Sequence, residues 1–69
     1  MATMKDLKEG DWAWGYIINT NDRIRATFSN SNGLAPGYGY FYDPKSGKII
    51  TLYLEQSDIK QAISDRGTK

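Results

Sequence analysis

The sequence predicts a mainly β domain: two antiparallel hairpins in one small, strongly twisted sheet or partial barrel, followed by a short C-terminal helix. Three observations predict it. The stretches Asp11–Ile18 and Arg23–Ser29 alternate with a period of two around Asn19-Thr20-Asn21-Asp22, the spacing of half-buried strands. Tyr38–Tyr42 and Lys48–Leu54 flank Asp43-Pro44-Lys45-Ser46-Gly47, where Asp starts a turn, Pro presets φ and Gly closes it. Beyond Ser57 the period changes, and Ile59, Ala62 and Ile63 fall at i, i+3 and i+4.

Taken in order, Thr3 to Gly10 reads either as one short helical turn or as a loosely ordered lead-in. Thr3 and Asp6 have capping-box spacing, and Gly10 suits the exit. In the first hairpin, Ala13, Gly15, Ile17, Ile24, Ala26 and Phe28 share one face. Trp12, Trp14, Tyr16, Ile18, Arg23, Arg25 and Thr27 share the other. A four-residue loop pairs Ile18 with Arg23, and a two-residue turn pairs Thr20 with Arg23. Both registers keep the same faces, because the side-chain period is two.

Ser29 to Gly37 is a loop by composition and long for a connection between hairpins. In the second hairpin a loop from Pro44 to Gly47 sets Asp43 opposite Lys48, Tyr42 opposite Ile49, Tyr40 opposite Thr51 and Tyr38 opposite Tyr53. One face then carries Phe41, Ile50, Leu52 and Leu54, and the other Tyr38, Tyr40, Tyr42, Ile49, Thr51 and Tyr53. Neither face is polar, and nothing in the sequence says which is the core. Ser57 is placed to cap the final helix, and residues 67–69 read as a frayed tail.

Two short resemblances bear on the fold. Leu7-Lys8-Glu9-Gly10-Asp11-Trp12-Ala13 resembles the entry to the first strand of SH3-like barrels. That resemblance implies an alternative, a five-stranded SH3-like or OB-like barrel in which Lys60–Asp65 is the last strand. Gly37-Tyr38-Gly39-Tyr40-Phe41 resembles the first ribonucleoprotein motif of cold-shock domains, which implies rings on an exposed strand. Pro36 stands where that motif has a basic residue, and the second aromatic motif is missing.

Composition excludes more than it assigns. Sixty-nine residues make one small domain, near the lower limit for folding alone. There is no Cys and no His, so thiolate chemistry, an ordinary zinc site and the commonest general base are absent. The carboxylates sit at turns and caps or among lysines, and no nucleophile–base pair is visible, so the chain reads as a non-enzyme with no cofactor. Nine basic and eight acidic residues are scattered, for a net charge of +1, which argues against a duplex-DNA binder. No signal-peptide or membrane-spanning run is visible, and a cytoplasmic protein is expected.

What remains is a surface of Trp12, Trp14, Tyr16, Tyr38, Tyr40, Tyr42 and Tyr53 with Arg23 and Arg25. Rings stack on bases, and guanidinium groups grip phosphate or carboxylate. The sequence therefore predicts a binding protein for a small anionic ligand such as a nucleotide, in a sequestering or sensing role. Two other readings stand beside it: a protein-interaction module or inhibitor docking through the aromatic face, and a single-stranded nucleic-acid binder. Aromatics and Arg also mark subunit interfaces. A sheet apolar on both faces exceeds what the remaining residues can cover, so a homo-oligomer, a dimer above all, is expected.

Overall fold

The computed structural model describes residues 3–66. Four antiparallel strands close into a small barrel in the order β1 (Trp12–Ile17), β2 (Arg23–Asn30), β3 (Tyr38–Asp43), β4 (Lys48–Tyr53). One helix, α1 (Gln56–Arg66), packs against β1. This is the architecture of a small SH3-like partial barrel. A helix occupies the place where the alternative puts a fifth strand. The expected fray at residues 67–69 lies outside the described residues.

The second hairpin forms in the expected register, from Asp43↔Lys48 to Tyr38↔Tyr53. Asp43 organises its turn. Its carboxylate accepts from the Lys45 N–H at 3.0 Å and the Ser46 hydroxyl at 3.0 Å, while Gly47 sits at φ 73°. These bonds hold the Asp43 carboxyl below the usual carboxylate range: the Lys45 N–H contributes most, partial desolvation opposes, and Ser46 adds to the lowering.

The first hairpin is wider than either predicted register, with Tyr16 opposite Arg23 and Trp14 opposite Arg25. The added length is held locally. Thr20 bonds back to the Ile17 carbonyl through its N–H at 3.1 Å and its hydroxyl at 3.0 Å, Asn19 takes φ 68°, and the Asp22 N–H reaches the Thr20 hydroxyl at 3.2 Å. The shift is an even number of residues, so every side chain keeps its predicted face.

β4 returns to β1 through Tyr16↔Tyr53 and Ile17↔Leu52. Closure rolls the aliphatic face inwards. The core is Met4, Leu7, Ala13, Ala26, Phe28, Phe41, Leu52, Leu54, Ile59 and Ala62, with Phe28 and Phe41 edge to face at 5.3 Å between centroids. The covering problem posed by two apolar faces is thus half solved by the barrel itself, and the aromatic face is the one in water. Gly15 makes the closure possible: a Cβ there would lie 2.6 Å from Leu54 Cδ1 and 3.1 Å from Leu52 Cβ.

The lead-in is part of the core. Met4–Asp6 forms a 3₁₀ turn, the Asp6 carboxylate accepts from the Thr3 N–H at 2.9 Å, and Met4 and Leu7 are buried. The helix begins before Ser57. Asp58, in its first turn, reaches back to the Glu55 N–H at 3.2 Å and does the capping expected of Ser57. Two ion pairs strap α1 across β1: Arg23 with Asp58 at 2.6 Å, and Arg66 with Asp11, where Arg66 Nε lies 3.1 Å from Oδ2.

The long loop is built from two consecutive β-turns. The Leu34 N–H donates to the Ser31 carbonyl at 3.3 Å and the Tyr38 N–H to the Ala35 carbonyl at 3.1 Å. In each, the third residue is a glycine with positive φ, Gly33 at 76° and Gly37 at 88°. Pro36 precedes Gly37 and presets the second turn. Among the described residues no helix is long and apolar enough to cross a membrane.

Candidate functional site

All nine predicted residues lie on the outside of the barrel, because each occupies the odd or even register that closure turns outwards. Trp12 and Trp14 are 40% and 48% exposed, unusual for the largest apolar side chains of so small a domain. The structure does not gather the nine into one patch. It divides them among three sectors.

The first sector is a groove of about 240 Å³ between the first hairpin and α1. Trp12, Trp14, Arg23 and Arg25 supply one wall, and Asp58, Gln61 and Asp65 face them from the helix. The two arginines differ in state. Arg23 is engaged: it bonds Asp58 and lies over the Tyr16 ring at 5.0 Å. Partial desolvation works against its charge, and the Asp58 bond outweighs this, raising its pKa above the ordinary arginine value. Arg25 is exposed, with its guanidinium carbon 4.8 Å from the centre of the Trp12 ring, and among the described residues no carboxylate pairs with it. Stacking of this kind orients a guanidinium while leaving its N–H donors available at the edge.

The second sector is a cleft of about 630 Å³ bounded by the lead-in turn, the 31–37 loop and the start of α1. Tyr38 and Tyr53 line it with rings 5.1 Å apart. Tyr16 lies between the two recesses, opposite Arg23 on one side and Tyr53 on the other. The third sector is the far side of the barrel, where Tyr40 and Tyr42 face out beside Thr51 and Ile49. The Gly37–Phe41 stretch therefore puts Tyr38 and Tyr40 outside, as its resemblance implies, but buries Phe41 completely in a four-stranded rather than five-stranded barrel.

Sequence reasoning missed the helical wall of the groove. Its signal was present: Asp58, Gln61 and Asp65 recur at i, i+3 and i+7, a polar stripe beside the apolar one. Gln61 Nε2 donates to Asp65 Oδ1 at 2.8 Å, which fixes both side chains at the rim. Among the described residues, no cluster of three or more His, Cys, Asp or Glu side chains is placed to hold a metal ion. Compared with protein-family models, curated proteins and solved structures, the chain matches none.

Proposed function

We propose that the chain is a non-catalytic binding protein that holds a small anionic ligand with a flat ring, such as a nucleotide, in the groove between the first hairpin and α1. The observation that carries this reading is Arg25, a cation without a carboxylate partner among the described residues, stacked on Trp12 and opposite Trp14 in the strand ladder. A base stacking on an exposed ring gains roughly 1–3 kcal/mol, and a phosphate completes the unused guanidinium edge. Arg23 contributes less than the sequence suggested, since Asp58 already neutralises it. Gln61 and Asp65 offer polar atoms to the ring's edge. A sequestering or sensing role in the cytoplasm goes with this reading.

The test uses the chain's own chromophores, because its two tryptophans both line this groove. Titration with nucleoside monophosphates should quench tryptophan emission saturably. Arg25→Ala should abolish the response, and Trp14→Ala should weaken binding about tenfold. A flat signal up to millimolar concentrations of every nucleotide tried would sink the proposal.

A second reading is favoured by the exposure of Tyr42, Ile49 and Tyr53 elsewhere on the barrel, at 44%, 55% and 39%. Here the aromatic band docks on a protein, either a second copy in a homodimer or a target that the chain inhibits. Sedimentation across a concentration series separates the homodimer from the free chain. A steep salt dependence of binding to single strands would instead favour nucleic acid.

A further inference from the structure

We propose that the larger cleft is a second, separate binding site, for a free amphipathic monoanion: an apolar body of medium chain or fused-ring size ending in one carboxylate. Its volume of about 630 Å³ falls within the range of small-molecule sites, whereas the groove is less than half as large.

The walls are mainly apolar, with Thr3, Lys5, Ser31 and Gln56 among them, and come from three separate parts of the chain. Leu34 and Pro36 come from the loop, and the edges of three core residues, Met4 from the lead-in turn and Leu54 and Ile59 from the approach to α1 and its first turn, form the floor. They are also fixed in advance. The turn through Pro36 and Gly37 is closed by the Tyr38 N–H, and the Gly37 carbonyl accepts from the Leu54 N–H at 2.8 Å. Gly37 leaves room for the Tyr53 ring, since a Cβ there would come within 2.9 Å of it. A preformed apolar recess binds without the cost of ordering its own walls.

Charge sets the class of ligand. The cleft is lined by Lys5 and by no carboxylate, and among the described residues Lys5 forms no ion pair. Gln56, the first residue of α1, also lines it, but the Asp58 carboxylate already caps that helix end through the Glu55 N–H, so the charge of the cleft rests on Lys5. The groove, by contrast, carries two arginines against two aspartates. A recess that is apolar and singly cationic selects one negative charge on an apolar body. It is also a hollow among three elements rather than a flat face, which fits a free molecule and not a membrane surface.

Anilinonaphthalenesulfonate, a fused-ring monoanion that fluoresces in apolar sites, is the direct probe. The folded protein should bind it at one site, and Arg25→Ala should leave that binding unchanged. Decanoate should displace it about threefold to fivefold more effectively than decanol, the increment expected of one exposed charge pair. Lys5→Gln should erase that preference while retaining decanol binding. Leu34→Asp, which puts a carboxylate into a partly exposed wall, should abolish dye binding with the circular dichroism unchanged. The proposal is overturned if the folded protein leaves the dye dark, if decanol competes as well as decanoate, or if Lys5→Gln leaves the preference intact. It is equally overturned if anionic vesicles sediment the protein while free decanoate displaces nothing.

Discussion

Gly15→Ala should loosen the barrel at its seam. The strand ladder between β1 and β4 contains only Tyr16↔Tyr53 and Ile17↔Leu52, and Gly15 is the residue immediately before it. An added methyl group would lie 2.6 Å from Leu54 Cδ1, 3.1 Å from Leu52 Cβ and 3.2 Å from the Tyr53 carbonyl oxygen. The first contact can relax by a rotamer change only at a cost, since Leu54 is packed in the core. The other two belong to the strand and can relax only by moving it. Overpacking of this kind costs about 1–3 kcal/mol, and replacing Gly by Ala returns about 0.4–1 kcal/mol through the unfolded chain. The net loss is therefore centred on about 1.3 kcal/mol, with an upper bound of about 2.6 kcal/mol, and the central value lowers the melting temperature of a domain of this size by roughly 5–10 °C. Thermal melts followed by circular dichroism measure it. Leu54→Val removes the nearest atom, so the double variant should be less destabilised than the sum of the singles, with a coupling of at least about 0.5 kcal/mol. A Gly15→Ala protein as stable as the parent, or strict additivity in the double variant, would refute the idea that closure depends on this missing side chain.

Other outcomes test other joints of the structure. Asp58→Asn keeps an acceptor for the Glu55 N–H but frees the charge of Arg23; nucleotide affinity in the tryptophan titration should rise about threefold while stability falls by about 1 kcal/mol. Burial pushes the Asp11 carboxyl up, but the bonds from Arg66 and the Lys8 N–H outweigh it and its pKa lies below the ordinary value. Its contribution is thus fully present above about pH 4 and is lost as pH falls through the lowered folded value, so Arg66→Gln should narrow the difference in urea midpoint between neutral and acid solution. An unchanged difference would show that the strap carries no pH dependence. Gly37→Ala forces an L-residue to φ 88° against the Tyr53 ring and should cost about 1–2 kcal/mol in a denaturant melt. Finally, both tryptophans are exposed, so emission of the native protein should lie near that of free tryptophan in water; a strongly blue-shifted spectrum would mean the outer face is covered.

The parts of the fold legible in the sequence are those set by local chemistry. Asp43, Pro44 and Gly47 define their own turn, and from it the register of β3 and β4 follows residue by residue. The faces of the first hairpin are legible for the same reason, since alternation survives any even shift. Its width is not, because the Thr20 bonds that set it compete with other turns that look as good on paper. Closure is invisible locally: Gly15 reads as one small residue among alternating large ones, and only the approach of Leu54 gives it a purpose. The outer surface was recognisable as a binding candidate, but its division into sectors depends on where α1 lands. Asp58 beside Arg23 and Asp11 beside Arg66 are partners 35 and 55 residues apart, and spacing alone does not announce them.

α1 separates the two recesses. Its Ser57, Asp58, Gln61 and Asp65 look into one, and its Gln56 and Ile59 into the other. If both proposed sites are filled, a party wall of this kind can couple them without any change of shape. An occupant of one chamber would also hold the helix down, leaving less disorder for the other to remove. The two occupants should therefore help each other by equal factors, since linkage is reciprocal.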